Sequence, residues 1–425
     1  IYRTPGMLDL NSSPYTRQRL DMRRCELRAL QSSSEASTMA KLSGTISPAI
    51  GNLSRLRILS FPCNSFFGEI PDEISALMNL EWIDLAENEM SGSIPRGIGR
   101  LSGLKHINLA YNAFEGKLPT TISCLQKLKV LNVAGNRLSG EVGISLGKLP
   151  ELEVLDISSN LFVGTIPLDI TGDCHKLVHV HMENNFLTGR IPSDFGRCPC
   201  LKTLKVSSNL LTGPIPTEIG ELSKLEVLDV SQNHLNGSIP STLAKCSQLS
   251  FLILTNTATG PCIHDGVSKD VMGRNPKVAG YPRKEEFNSF LAIPMALLNL
   301  PRLQLLWAPR AAASSSGILP TYWGSCKNLQ VLNLAENSLT GTLSEGLTQC
   351  RRLIYLDLGG NKLEGYLPSK LSFNCMAMFN ISGNSLNKES LRKVSRDGLW
   401  NCPMLLSDHS RSNMRMKINA YFSSL

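Results

Sequence analysis

Along most of the chain, apolar residues fall eight, five and three places before an asparagine, and that asparagine returns about every 24 residues. It occupies positions 64, 88, 112, 136, 160, 185, 209, 233, 337, 361 and 384, with one extra residue before Asn185 and one missing before Asn384. In one unit Leu225, Leu228 and Val230 precede Asn233 in this way. Their alternation predicts a short strand, with Leu228 and Val230 turned inward and Val227, Asp229 and Ser231 outward. A single unit cannot bury its apolar edge, so each must lean on its neighbours. The asparagine amide is suited to pair backbone groups that the bending chain leaves inside. Gly and Pro in "GPIP" (213–216) and "GSIP" (237–240) predict a tight turn after the strand. Degenerate units with Ala40, Thr257 and Ala311 at the asparagine place bring the count to about fourteen.

The LxxLxLxxN spacing is that of leucine-rich repeats. It predicts a right-handed α/β solenoid of about fourteen 24-residue repeats, with short parallel strands on the concave face. The register divides the chain into an irregular segment 1–37, repeats over 38–257, an insertion at 258–290, repeats over 291–387 and a basic tail at 388–425. The insertion carries "GPC", "GRNP" and "GYPRKEE" and keeps no register; a loop of that length is usually functional or disordered.

The net charge of +8 sits in the ends. Residues 1–41 hold seven basic against four acidic groups and 388–425 seven against three, leaving 29 against 28 in the body. A neutral body with basic ends is a poor footprint for nucleic acid. The first 40 residues lack the apolar core of a signal peptide, and the apolar run 290–300 is too short to span a membrane.

Cys174, Cys198, Cys246, Cys326 and Cys350 all stand eleven places before the asparagine position, where other repeats have Leu101, Leu149 and Leu222. That register predicts buried core thiols. Cys375 and Cys402, where the array ends, are a candidate capping disulfide. Asn11, Asn52, Asn236 and Asn380 begin glycosylation sequons.

"GEIP", "GSIP", "GTIP", "GRIP" and "GPIP" (between 68 and 240) resemble the plant-specific class of leucine-rich repeats. That class is found in receptor-like kinase ectodomains, receptor-like proteins and polygalacturonase inhibitors. "LRILSFPCNSFFGEIP" (56–71), "LNLPRLQLLWAPRA" (298–311) and "PSKLSFNCMAMFNISGNSL" (368–386) look like the receptor-like protein kinase 2 (toadstool 2) group. The resemblance implies the ectodomain of a plasma-membrane receptor kinase, facing a peptide hormone or a co-receptor ectodomain and needing no cofactor. The group's N-terminal cap, with a Trp and a close Cys pair, is missing, and no Arg-x-Arg lies in a repeat strand. No Gly-rich loop with a strand Lys, "HRD" or "DFG" is present, so kinase activity cannot be assigned to these residues. The alternatives are a free apoplastic inhibitor or defence protein, or a truncated receptor product without signalling output.

"GISLG" (143–147) matches a nucleophile elbow, but Ser145 has no His/Asp partner in view. His175, His179 and His181 do not complete a metal set. The outward strand positions are more informative when read across repeats. Asp156, His181, Lys205 and Asp229 should form a charge ladder, flanked by Trp82, His106 and Tyr111, as a polar floor for a partner. Phe251 and Ile253 before the insertion and Trp307 after it should face water as an apolar patch that the insertion or a ligand covers.

Overall fold

The computed structural model describes residues 41–144, 146–166, 174–255, 288–311, 317–323, 326–368 and 378–387, with the backbone of 19–21. It divides into two units, Ile1–Thr203 and Leu204–Leu425. Each is a stack of parallel strands, and neighbouring repeats pair in register: Trp82 opposite His106, His106 opposite Val130, and Phe251 opposite Leu305. This is the leucine-rich-repeat arrangement that the spacing predicts. The inward positions form the core. Leu104, Ile107 and Leu109, eight, five and three places before Asn112, are at most 1% exposed.

The asparagine ladder is what ties repeat to repeat. Asn136 is buried. Its Nδ2 donates to the carbonyls of Leu109, Val133 and Ala134 at 3.0, 3.0 and 3.1 Å. Its Oδ1 accepts from Phe114 N at 3.0 Å. One amide thus serves four backbone groups of two repeats. Where Ala311 stands at the asparagine place, the Phe290 amide donates instead to the Ala311 carbonyl at 2.8 Å.

The residue before each asparagine has a left-handed backbone: Glu87 at φ 53°, Tyr111 at 55°, Ser159 at 53° and Gln232 at 52°. Gly135 and Gly360 occupy the same place at 64° and 65°, a conformation that costs other residues about 1–2 kcal/mol. The carbonyl direction that the turn needs evidently outweighs side-chain preference there.

After the asparagine, a second short strand pairs with its counterparts, as Arg137–Glu141 does with Leu161–Thr165. It ends near a glycine such as Gly92 (φ 73°), whose missing Cβ would lie 2.5 Å from the Glu69 side chain. A 3-10 helix follows the Ile-Pro pair. Pro95 precedes Arg96–Arg100, Ile98 is buried, and the Leu101 amide returns to the Ile98 carbonyl. The helical element of the expected α/β repeat is a 3-10 helix, and the second strand was not implied by the spacing. Arg19–Asp21 adds a strand beside Ile58–Ser60, within the segment expected to be irregular.

Two expectations need correction. Cys174 and Cys198 form a disulfide, as do Cys326 and Cys350, with Cα–Cα distances of 5.1 and 5.0 Å. The physical reason is the stacking itself. Equal register in consecutive repeats sets two backbones at the separation a disulfide requires. Cys246, with Leu222 and Leu300 at the same register in the neighbouring repeats, is a buried free thiol, pushed up to about 11 by burial. Cys63 is also disulfide-bonded.

The second correction concerns the insertion. The ladder asparagine of its repeat is Asn288, since Leu235 N donates to Asn288 Oδ1 at 2.8 Å. Its Nδ2 donates to the Val230 and Leu254 carbonyls at 2.8 and 2.7 Å. The repeat therefore resumes at 288 rather than 291. Thr257, expected at that place, lies outside the described residues, as do Cys375, Cys402, Asn11 and Ser145.

Candidate functional site

In the first unit, Trp82 and His106 stand on adjoining strands and stack in parallel, with ring centroids 3.6 Å apart and planes 5° apart. Burial holds His106 down to about 4, so it is neutral at physiological pH. Its Nε2 is buried without a hydrogen-bond partner among the described residues. The exposed Tyr111 ring lies over the next repeat at Gly135, where a Cβ would come within 2.6 Å of it.

The expected ladder divides between the units, with Asp156 and His181 in the first and Lys205 and Asp229 in the second. Asp156 and His181 approach to 3.6 Å. Burial opposes ionisation of Asp156, but His181 and the Ser158 hydroxyl and amide outweigh it, leaving the carboxyl below its usual range. His179 bonds Thr203 through Nδ1 at 3.0 Å, so these histidines are held by strand neighbours. In the second unit, Asp229 is buried with Oδ1 accepting from Ser231 N and Oγ at 3.0 and 2.7 Å. There burial outweighs the Ser231 and Ser207 hydrogen bonds and the Lys205 charge, and the carboxyl is raised.

Sequence reasoning missed why these outward places favour Asp and Asn. Asn108, Asn132 and Asn333 accept the amide two residues on, at 3.3, 3.0 and 3.1 Å, as Asp156 and Asp229 do. The side chain closes an Asx turn where each strand ends. The repeating Asp/Asn-x-Ala/Ser spacing was the available signal.

A prediction follows for Asp229→Asn, which keeps the Asx acceptor. The folded-state carboxyl is raised, so the folded protein takes up its proton before the unfolded chain on acidification. At neutral pH the ionised buried group is a cost. The variant should therefore have a higher urea midpoint than the parent at pH 7, and the gap should close as pH falls through the raised value. An equal or lower midpoint at pH 7 would refute this account.

Ile253 and Trp307 do not face water as expected, and Phe251 does so only in part. Ile253 and Trp307 are 8% and 5% exposed, in a cluster with Leu305 and Val331 against which Phe251 and Tyr355 pack. The Trp307 and Tyr355 rings are 5.4 Å apart. Outward apolar side chains on consecutive strands lie close enough to bury one another, which reading each strand alone does not show. Most of the insertion expected to dock there lies outside the described residues.

Of the sequon asparagines, Asn52 and Asn236 are exposed. Asn380 is half-buried and donates one Nδ2 hydrogen to Asp357 Oδ1 at 2.9 Å.

Repeat-family models match a leucine-rich repeat region at 25–165 and single leucine-rich repeats at 176–198, 200–222, 224–246, 328–350 and 352–374. Together they cover more than half the sequence, and the chain belongs to the leucine-rich-repeat family. Within it, the chain is similar to plant receptor-kinase ectodomains. It is 46% identical over 52 residues to the serine/threonine-protein kinase BRI1-like 1 of Arabidopsis thaliana, 12% of this chain and 4% of that protein. The Arabidopsis HAESA ectodomain, solved with an N-terminally extended IDA peptide hormone, aligns at TM-score 0.69 and 29% identity over 82% of this chain and 55% of that one. HAESA with IDA and the co-receptor SERK1 aligns at TM-score 0.62 and 26% identity, over 81% and 61%. The chain thus spans little more than half of these solved ectodomains and a small fraction of the curated relative.

Proposed function

We propose that the chain is the ligand-recognising extracellular part of a plant receptor-like kinase at the plasma membrane. It takes a peptide hormone or a co-receptor ectodomain on the strand face of its repeats. The observation that carries this reading is its likeness to receptor ectodomains solved with peptide hormones. Inter-repeat disulfides support it, because such bonds persist in oxidising, extracellular surroundings. The finer placement in the toadstool 2 group rests on the segments 56–71, 298–311 and 368–386.

The test is isothermal titration of the secreted chain with a panel of synthetic plant peptide hormones and with a co-receptor ectodomain. At least one partner should bind saturably in the micromolar range or tighter. Lys205→Met should weaken it about tenfold, equivalent to 1.4 kcal/mol, read at a temperature and pH where parent and variant are both folded. Methionine is the informative replacement, because a glutamate there would set a second carboxylate near buried Asp229. Failure of every partner to bind, or binding indifferent to Lys205, would overturn the reading or its site.

A further inference from the structure

Cys63 is disulfide-bonded. Its partner is none of the other described cysteines: Cys174 pairs with Cys198, Cys326 with Cys350, and Cys124, Cys200 and Cys246 are thiols. The sequence has 12 cysteines, so four candidates remain: Cys25, Cys262, Cys375 and Cys402. Cys25 alone lies in the unit that contains Cys63.

Burial at that end of the stack points to a segment lying across it. The first repeat of a stack has a neighbour on one side only, so its outward side chains should be the more exposed. The reverse holds on the strand face. Ser60 and Cys63 are 1% and 5% exposed. Asp84 and Asn108, at the place of Ser60 in the next two repeats, are half-buried, and Glu87 and Tyr111, at the place of Cys63, are exposed. The cover does not extend past the asparagine turn. Leu42 N donates to Asn64 Oδ1 as Phe66 N does to Asn88 Oδ1, which puts Leu42 in the inward register. Yet Leu42 is 42% exposed and Phe66 2%. What covers this end therefore follows the strand face, where Arg19–Asp21 runs.

Register brings Cys25 to Cys63. Arg19–Asp21 pairs in parallel with Ile58–Ser60, Arg19 opposite Ile58 and Asp21 opposite Ser60. Carried forward, this register sets position 24 opposite Cys63 and Cys25 one place beyond. With strands ~4.8 Å apart and a rise of ~3.3 Å per residue, the diagonal is ~6 Å. A disulfide spans Cα–Cα distances of about 4.4–6.8 Å. The two inter-repeat disulfides, at 5.1 and 5.0 Å, come from the same side-by-side placement.

We infer that a Cys25–Cys63 disulfide straps the N-terminal segment across the first repeat strand and closes that end of the face. Its formation joins the two Sγ atoms, releases both thiol protons and passes two electrons to a protein disulfide donor, which is reduced to its dithiol. The strap serves where a cap with its own cysteine pair is missing, since residues 1–41 hold Cys25 and no second cysteine. While it is closed, Ser60 and Cys63 are withheld from any partner on the face, and reduction uncovers them. The test is peptide mapping of the full secreted chain, alkylated and digested without reductant. A linked pair of peptides carrying Cys25 and Cys63 should appear, and should vanish on reduction. Cys63 linked to Cys262, Cys375 or Cys402, or alkylated as a thiol, would overturn the inference. Cys25→Ser, a change outside the repeats, then tests the cover. Hydrogen exchange over 57–63 should quicken about tenfold in that variant. Exchange over 130–135 should stay as in the parent, which shows that the repeats are folded. Equal exchange over 57–63 in parent and variant would mean that the bond straps nothing, and the covering role would fall.

Discussion

Replacing Asn136 with alanine should destabilise the first unit by about 3 kcal/mol, at the upper end for a single unsatisfied buried polar group. The argument is one of counting. The side chain satisfies three carbonyls and one amide in an interior that water does not reach. Alanine leaves Phe114 N without an acceptor and strips the shared donor from Leu109, Val133 and Ala134. Because repeats contact only their neighbours, the damage should concentrate around residues 109–138. Urea unfolding gives the overall loss, and hydrogen exchange should show the Phe114 amide losing protection while distant repeats keep theirs. Arg137→Ala, at the exposed next position, is the control and should change little. A loss below about 1 kcal/mol, or an unchanged Phe114 amide, would mean that the ladder is decoration on a self-sufficient backbone.

The second large effect concerns the staples between repeats. Cys174–Cys198 and Cys326–Cys350 each close a sequence separation of 24 residues. Restricting the unfolded chain by a loop of that size is worth about 3 kcal/mol on chain-entropy grounds. Cys326→Ser with Cys350→Ser should therefore lower the urea midpoint of the second unit, and Cys174→Ser with Cys198→Ser that of the first. Labelling of the native and then of the denatured chain, each without and with reductant, checks the pairing. Exposed Cys124 should react quickly and buried Cys246 hardly at all, while the four paired sulfurs should label only after reduction. Labelling of the four in the denatured chain without reductant, alongside Cys246, would return them to the status of core thiols.

What the sequence made legible was whatever the period imposes on every repeat. Leu228 and Val230 are buried because alternation puts them inside, and Asn233 serves Val206, Val230 and Ser231 because each ladder residue meets the same backbone groups. What stayed hidden depended on neighbours in the stack rather than on neighbours in the chain. Cys174 reads as a leucine substitute until Cys198 is set 5.1 Å from it. Trp307 reads as exposed until Ile253, Val331 and Tyr355 close around it. Asp229 reads as a solvated charge until Ser207, Ser231 and Lys205 surround it. Asn288 was missed for a different reason. In "NSFLAIP" the turn glycine is replaced and the Ile-Pro pair comes one residue early, so the familiar spelling is absent although the amide does the usual work.

That asparagine also defines how the array can change over time. Leu254, Thr255 and Asn256 correspond in spacing to Val230, Ser231 and Gln232, and the next residue of the regular pattern is the ladder asparagine. Joining Asn256 directly to Asn288 would restore an ordinary repeat, with 257–287 removed. Both flanks are already anchored at the splice, since Asn288 holds the Leu254 carbonyl. The segment between them is a cassette. The strands on either side, Phe251–Ile253 and Leu305–Trp307, pair directly in register, so the added residues leave the spacing of the scaffold as it would be without them.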